Sequence, residues 1–116
     1  MDEIARLIES ALQDLNLDVS RLFNPNPSTD PYIVYKQISK SPSLFVDNTE
    51  ISRTFLVDVD IYTTDQRLID NTSKLVEEKL KLVGFSLRPS SGTIVEDEKE
   101  PIWFHEPLEF EYEKEM

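Results

Sequence analysis

Residues 53–62 read RTFLVDVDIY, and apolar positions alternate with mostly polar ones along the whole stretch. In an extended chain one side carries only large apolar residues, namely Phe55, Val57, Val59 and Ile61. The opposite side carries the intervening residues Thr54, Leu56, Asp58, Asp60 and Tyr62. Such alternation is the pattern of a β-strand with one buried face, and the β-branched and aromatic residues favour it further. We therefore predict that this strand is the centre of the fold.

Two amphipathic helices are predicted, one near the start of the chain and one directly after the central strand. Residues 2–15 place apolar side chains at helical intervals: Ile4, Leu7, Ile8, Ala11, Leu12 and Leu15. Residues 66–83 carry a second stripe, formed by Ile69, Thr72, Val76, Leu80 and Val83 and broadened by Leu68, Leu75 and Leu82. Asp65 is predicted to cap the start of this helix, and Gly84 to take a left-handed conformation at its end.

Three further strands are predicted from patterns of alternation. They cover residues 32–39, residues 85–88 with a continuation at 93–95, and residues 102–113. Pro89 and Pro107 should place their strands at a sheet edge or at a bulge, because proline cannot donate to the ladder.

The remaining segments are predicted to be connectors. They are 17–23, a turn or irregular segment that buries Leu22 and Phe23, the Pro-rich stretch 24–31, and a long loop at 40–51.

The order of elements is helix, strand, strand, helix, strand, strand. It predicts an α+β fold, in which two main helices pack on one face of an antiparallel sheet of about four strands. The length of 116 residues suits one domain, and we expect that domain to span 1–116, with a short acidic end at 113–116 that is disordered.

The composition excludes several classes of function. The net charge is −11, and from Glu96 onward nine acidic residues face two lysines, which gives 2 − 9 = −7. Surfaces that bind DNA, RNA or anionic membranes need clustered Lys and Arg, so we expect none of these partners. The absence of cysteine excludes disulfides and thiolate metal sites, and two glycines are too few for a Gly-rich phosphate loop.

The chain also lacks the patterns of exported or membrane proteins. The N-terminal MDEIARLIES is acidic and has no uninterrupted apolar run, unlike signal and transit peptides. No stretch approaches the roughly 18 apolar residues of a membrane span. We therefore expect a soluble protein that is made in a cytoplasm.

Three sets of residues were considered for chemistry. His105 is the only histidine, but no spacing signature supplies it with partners, so a packed or exposed strand residue is the simpler interpretation. Asp58 and Asp60 share one strand face at a spacing that suits a cation or paired carboxylates, although exposed acids are commoner there. Residues 96–98 are acidic but lack the glycine and spacing of a calcium loop. We therefore predict no catalytic, metal or cofactor-binding residue and no enzyme activity.

Apolar residues in two other segments are instead candidates for an assembly surface. Leu44, Phe45 and Val46 lie together in a segment rich in turn residues, near Tyr32 and Tyr35, and either join the core or face another subunit. Trp103 and Phe104 are neighbours in one strand, so one of them points away from the core. The candidate assembly interface comprises Leu44, Phe45, Val46, Asp58, Asp60 and Trp103.

The succession of these segments resembles the tail-completion, or tail-terminator, proteins of long-tailed bacteriophages and prophages, which join head to tail. The resemblance covers residues 1–113. It rests on the N-terminal helix, the Pro-rich connector and the segments YIVYKQIS, SPSLFVDNTEIS, VDVDIYTTD, VGF and WFHEPLEFEYE. These are patterns of strand chemistry without an invariant motif, so no functional residue is transferred from the family.

The resemblance implies a structural protein of the virion tail, made in the bacterial host cytoplasm. It implies a ring, typically hexameric, that contacts the tail-tube protein and the head connector and uses no cofactor. Such a ring ends tube polymerisation and offers the filled capsid a docking surface.

Three alternatives stay open. They are another small neck or head-completion protein, a ligand-binding α+β regulatory module unrelated to phage, and an enzyme that uses Asp58, Asp60 or His105.

Overall fold

The computed structural model describes residues 3–89, 92–97 and 101–115, with only the backbone described at 96 and 97. In chain order its helices and strands are α1 (Glu3–Leu12), β1 (Val19–Arg21), β2 (Tyr32–Val46), β3 (Thr49–Thr63), α2 (Ile69–Leu82), β4 (Ser86–Arg88), β5 (Ile94–Asp97) and β6 (Trp103–Glu115). Short 3-10 turns at Gln13–Leu15 and Gln66–Leu68 extend α1 and precede α2.

The alternating stretch 53–62 lies within β3, the central strand of the sheet. β3 pairs with β2 on one side and with β6 on the other, and both pairings are antiparallel. Val57, Val59 and Ile61 are fully buried, as the alternation predicted, and Phe55 packs against the same core. The β3 side chains of this face meet both helices, while the alternate residues lie on the other face of the sheet.

The predicted sheet of about four antiparallel strands is wrong, because the sheet is mixed and has six strands. The strand order is β1-β2-β3-β6-β4, and β5 also pairs with β6. β1 lies parallel to β2, with Val19 opposite Ile33. From the sequence this segment was predicted only as a turn or irregular stretch, because three residues are too few to show a period.

The predicted third strand is in fact two strands. β4 pairs with β6 near Glu109–Glu111, whereas β5 pairs with it near Trp103–His105. Because β3 occupies the other side of β6, both short strands share its second edge. Pro89 follows β4 directly, and a residue without an N–H cannot continue the ladder there.

The predicted loop at 40–51 is also wrong, because β2 and β3 continue through it as a long hairpin. The turn residues Asp47 and Asn48 have φ of 51° and 63°, the left-handed values that a two-residue hairpin of type I′ needs. Pro42 lies beside an irregularity in the register, which accommodates a residue that cannot donate a ladder hydrogen bond. We call the projecting part, residues 38–51, the arm.

Both helices form as the periodicity predicted. α1 buries Ile4, Ala5, Ile8 and Leu12, and α2 buries Ile69, Thr72, Val76 and Leu80. The backbone N–H of Arg67 donates to Asp65, and Gly84 takes φ of 104° after α2. Leu68, Leu75 and Leu82, which were expected to broaden the stripe, are instead exposed, with Leu82 at 83%.

The two helices cover only one face of the sheet. Their buried side chains join Val57, Val59 and Ile61 in one core, and the Tyr35 hydroxyl donates to Glu9 of α1 over 2.6 Å. No described helix lies over the opposite side, which we call the open face. The molecule is elongated, with extents of 58 × 26 × 24 Å, because the arm extends beyond the helix-covered part. β6 continues to Glu115, which pairs with Ser52. The acidic end that was predicted to be disordered is therefore part of a strand up to Glu115. Met116 lies outside the described residues.

We expect the core to depend strongly on Phe110, which is fully buried and meets Phe85 edge to face at 6.5 Å. Phe110→Ala should lower the free energy of unfolding by about 3–5 kcal/mol, because it leaves a cavity that the sheet cannot close. Leu82→Ala, at the exposed position on α2, should change it by less than about 0.5 kcal/mol. Urea unfolding followed by circular dichroism measures both values, and equal effects would contradict this description of the core.

Candidate assembly surfaces

The open face is built from cross-strand rows of residues on β2, β3 and β6. The register places Tyr32, Tyr62 and His105 in one row, Val34, Asp60 and Pro107 in the next, and Lys36, Asp58 and Glu109 in the third. These residues alternate along their strands with the buried ones, so the two-residue period of a β-strand places all of them on the same surface.

Aromatic rings form the first row of this face. The rings of Tyr32 and Tyr62 stack with centroids 5.1 Å apart, and the Tyr62 and His105 rings stack at 4.4 Å. Trp103 meets Tyr32 edge-on at 5.6 Å. Phe104, its neighbour in sequence, packs against the core on the other side. Of the two adjacent aromatic residues, Trp103 is therefore the one that faces away from the core, as one of them had to.

Carboxylates occupy the two rows beside the rings. The Oδ2 atom of Asp60 lies 3.3 Å from Nε2 of His105, and both side chains are largely buried, at 15% and 13% exposed. The Oδ1 atom of Asp60 is buried without a hydrogen-bond partner among the described residues. Asp58 lies 4.0 Å from the Lys36 ammonium. The structure thus brings His105 beside the pair Asp58 and Asp60, a proximity that the sequence could not predict.

The pKa of Asp58 is raised above its ordinary value of 3.8. Partial burial is the largest cause, since it disfavours the charged carboxylate, and the negative charge of Asp60 acts in the same direction. Glu109 adds a smaller contribution of that sign, whereas Lys36 and His105 oppose it. Ionised Asp58 therefore lowers the stability of the folded state.

An apolar groove borders the aromatic row. It has a volume of about 220 Å³ and is lined by Leu22, Phe23, Asn24, Pro25, Tyr32, Val34 and Tyr62. Leu22 and Phe23 were predicted to be buried, but they are 63% and 71% exposed. The reason is that β1 ends at Arg21 and Leu22 takes a left-handed φ of 73°, which turns the chain out from the sheet. The sequence predicted a turn or irregular segment here, but it contained no signal that the turn would expose Leu22 and Phe23.

Asp18 anchors the loop that carries this groove. Its carboxylate accepts hydrogen bonds from the Ser28 backbone N–H at 2.6 Å and from the Ser28 hydroxyl at 2.7 Å. The backbone N–H of Asp18 donates to Thr29 over 2.8 Å. The two hydrogen bonds from Ser28, above all that from its backbone N–H, lower the pKa of Asp18 below its ordinary value.

The arm presents the second apolar surface. Leu44, Phe45 and Val46 are 51%, 55% and 51% exposed, so these candidate residues lie at the tip and outside the core. Arg53 supports the arm by a two-pronged contact with Glu50, with both N···O distances at 2.6 Å. The predicted interface residues therefore divide into two separate places, the arm tip and the open face.

The described residues contain no group of three side chains that could hold a metal ion. In the acidic segment 96–98, the side chains of Glu96 and Asp97 and all of Glu98 lie outside the described part of the structure. None of the described helices is long and apolar enough to cross a membrane.

A comparison of the chain with models of known protein families found no match, and a search of curated proteins found no relative. The resemblance to tail-terminator proteins therefore stays a prediction from the sequence.

Replacing Asp58 should remove a pH-dependent loss of folding stability. Because its folded-state pKa lies above the unfolded one, the contribution of Asp58 to stability is most favourable below about pH 3.8 and is lost as pH rises through the folded pKa. At neutral pH, Asp58→Asn should therefore raise the free energy of unfolding by about 0.5 kcal/mol, a value discounted for solvent screening. Urea unfolding at acidic and neutral pH measures the difference, with the exposed Glu78→Gln as control. A variant that is less stable at neutral pH would contradict the prediction.

Removing Asp18 should loosen the groove loop. Because its pKa is lowered in the folded state, the stability it contributes is present above pH 3.8 and is lost as pH falls through the folded pKa. Asp18→Ala should speed hydrogen exchange of the Ser28 amide at neutral pH. The gap in melting temperature between variant and wild type should shrink in acid. Asp14→Ala, at an exposed acid, serves as control, and unchanged exchange at Ser28 in the Asp18 variant would disprove the anchoring role.

Proposed function

We propose that this chain is a structural subunit of the tail-terminator type, which caps the head-proximal end of a phage tail tube. The observation that carries the proposal is the arm, whose tip exposes Leu44, Phe45 and Val46 about halfway or more. These three consecutive apolar residues are also part of the segment SPSLFVDNTEIS, on which the resemblance to that family partly rests.

The exposed tip favours an assembling subunit over an independent module. Each large apolar side chain is worth about 1.5–3 kcal/mol on full burial, so a tip whose side chains are about half exposed leaves roughly half of this free energy available to a partner. A cluster of this kind on a projecting element is typical of an interaction site. The partners in this proposal are further copies of the chain in a ring, the tail-tube protein and the head connector.

The charge of the chain is consistent with a ring through which DNA passes. A net charge of −11 repels phosphate, so the lumen would conduct the DNA without binding it. In this function the chain performs no catalytic step and needs no cofactor. Its location is the virion tail.

A complementation experiment in a phage that lacks this gene tests the proposal. Without the protein, electron microscopy should show tails of abnormal length that are not joined to capsids, and the wild-type gene should restore both properties. Phe45→Ser should lower the titre of infectious particles by about tenfold or more, since losing one buried aromatic contact weakens association by that factor. Leu82→Ser, at an exposed apolar position on α2, is the control and should restore assembly.

Two outcomes would contradict the proposal. Tails of normal length joined to capsids in the absence of the protein would remove the capping function. Normal free tails together with capsids that cannot accept them would indicate a head-completion protein instead.

A further inference from the structure

His105 and Asp60 are two titratable side chains that lie largely buried in the open face. His105 belongs to β6 and Asp60 to β3, and their Nε2 and Oδ2 atoms are 3.3 Å apart. The side chains are only 13% and 15% exposed. The contact is an ion pair only when the imidazole carries its second proton. One proton therefore determines whether these two side chains attract each other across the strands.

Burial makes Asp60 depend on a positive charge nearby. A carboxylate that is removed from water needs hydrogen-bond donors or a compensating cation. The Oδ1 atom of Asp60 is buried and accepts no hydrogen bond within residues 3–89, 92–97 and 101–115. Lys36 makes its contact with Asp58 instead, at 4.0 Å. Protonated His105 is thus the neighbouring group that compensates the charge of Asp60.

Two further contacts favour the protonated form of His105. The ring of Tyr62 stacks on the imidazole, with centroids 4.4 Å apart and planes inclined by 11°. An aromatic face attracts a cation within about 6 Å of its centre. The charge of His105 also acts on Asp58, where it lowers the pKa against the larger effects that raise it. Because that attraction is mutual, Asp58 stabilises the proton on His105.

The charges around His105 are mostly negative. Titratable side chains on the neighbouring rows of the open face come from β2, β3, β4 and β6, and they are Tyr32, Lys36, Asp58, Asp60, Tyr62, Arg88 and Glu109. Arg88 lies opposite Glu109, on the side of β6 away from β3. β5 places the uncharged Ile94 opposite His105, and the Glu106 carboxylate accepts a hydrogen bond from Thr93 at 2.6 Å. Burial opposes the proton on His105, whereas the carboxylates and the Tyr62 ring favour it.

We propose that His105 is a proton-dependent clasp of the sheet, in which the protonated ring holds β6 to β3 through Asp60 and Tyr62 and loss of the proton releases this hold. The inference does not depend on the proposed function, because it concerns the isolated chain. The folded state binds the proton more tightly than the unfolded state does. The stability that the clasp contributes is therefore fully present below about pH 6.5, where unfolded histidine is protonated, and is lost as pH rises through the titration of folded His105.

The clasp acts at a weakly supported end of the sheet. β5 pairs with β6 and with no other described strand. Its residues Ile94 and Val95 are 43% and 53% exposed, so the core contributes little to holding them. Segments with few buried contacts open most easily. Loss of the proton should therefore increase the local opening of residues 103–105 and of β5 beside them.

NMR titration of the histidine ring tests the proton directly, because His105 is the only histidine of the chain. The midpoint in the folded protein should lie about one pH unit or more above that of the same chain unfolded in urea. Asp60→Asn should lower the folded midpoint by about one unit, whereas Asp70→Asn, at an exposed acid on α2, should leave it unchanged. A wild-type midpoint at or below the unfolded one, or an unchanged midpoint in Asp60→Asn, would overturn the inference.

Urea unfolding at several pH values measures what the clasp contributes to stability. His105→Gln keeps a polar side chain but cannot take up the proton. Between about pH 6 and about pH 9, the folding equilibrium constant of the wild type should fall by about tenfold relative to that of His105→Gln, since a difference of one unit in proton affinity corresponds to this factor. The same pH dependence in both proteins would show that His105 contributes no proton-linked stability, and the clasp would be wrong.

Amide hydrogen exchange tests whether loss of the proton opens the strands. Protection factors correct for the direct effect of pH on exchange. In the wild type, protection at residues 103–105 and in β5 should fall by up to about tenfold between about pH 6 and about pH 9, and it should change little in His105→Gln. A raised titration midpoint without any such fall would mean that His105 binds its proton without holding the strands, which would overturn the inference.

Discussion

The structure depends on the pairing of β3 along both of its edges. β2 and β6 bond to it over nearly its full length, from the Val46–Thr49 end of the hairpin to the pair of Thr63 with Phe104. This double pairing fixes which side chains of β3 point toward the helices, because a slip of one residue would exchange the two faces. Because Val57, Val59 and Ile61 point into the core, the residues that alternate with them along the strand point to the open face.

The helices cover only one side of the sheet, and this explains the character of the other side. No described helix packs on the open face, so stacked aromatic rings and charged contacts connect the neighbouring strands there. Tyr62 between Tyr32 and His105 links three strands, and the His105–Asp60 contact ties β6 to β3 in the same region. The cost is a raised pKa at Asp58, caused first by partial burial of its carboxyl and then by the nearby charge of Asp60.

The arm and the groove are both departures from the regular sheet, and each has a local cause. The left-handed pair Asp47–Asn48 closes the hairpin beyond the core, and the apolar residues before it stay about half exposed. The turn at Leu22 leads the chain out from β1, and Asp18 then holds the loop in place through Ser28. The apolar residues at these sites are exposed because backbone geometry carries them off the core.

By itself the sequence determined the central strand, the two helices and Gly84 as the helix end, because each depends on a local period or a single backbone preference. It also named Leu44–Val46 and Trp103 as candidate interface residues, but it left open whether Leu44–Val46 join the core and which of Trp103 and Phe104 faces away from it. Only the tertiary structure decided that β1, β4 and β5 join the sheet, that the predicted loop at 40–51 belongs to the arm, and that Leu22 and Phe23 line a groove. Short strands and cross-strand pairs such as His105 with Asp60 depend on partners distant in the chain, and no local pattern records them.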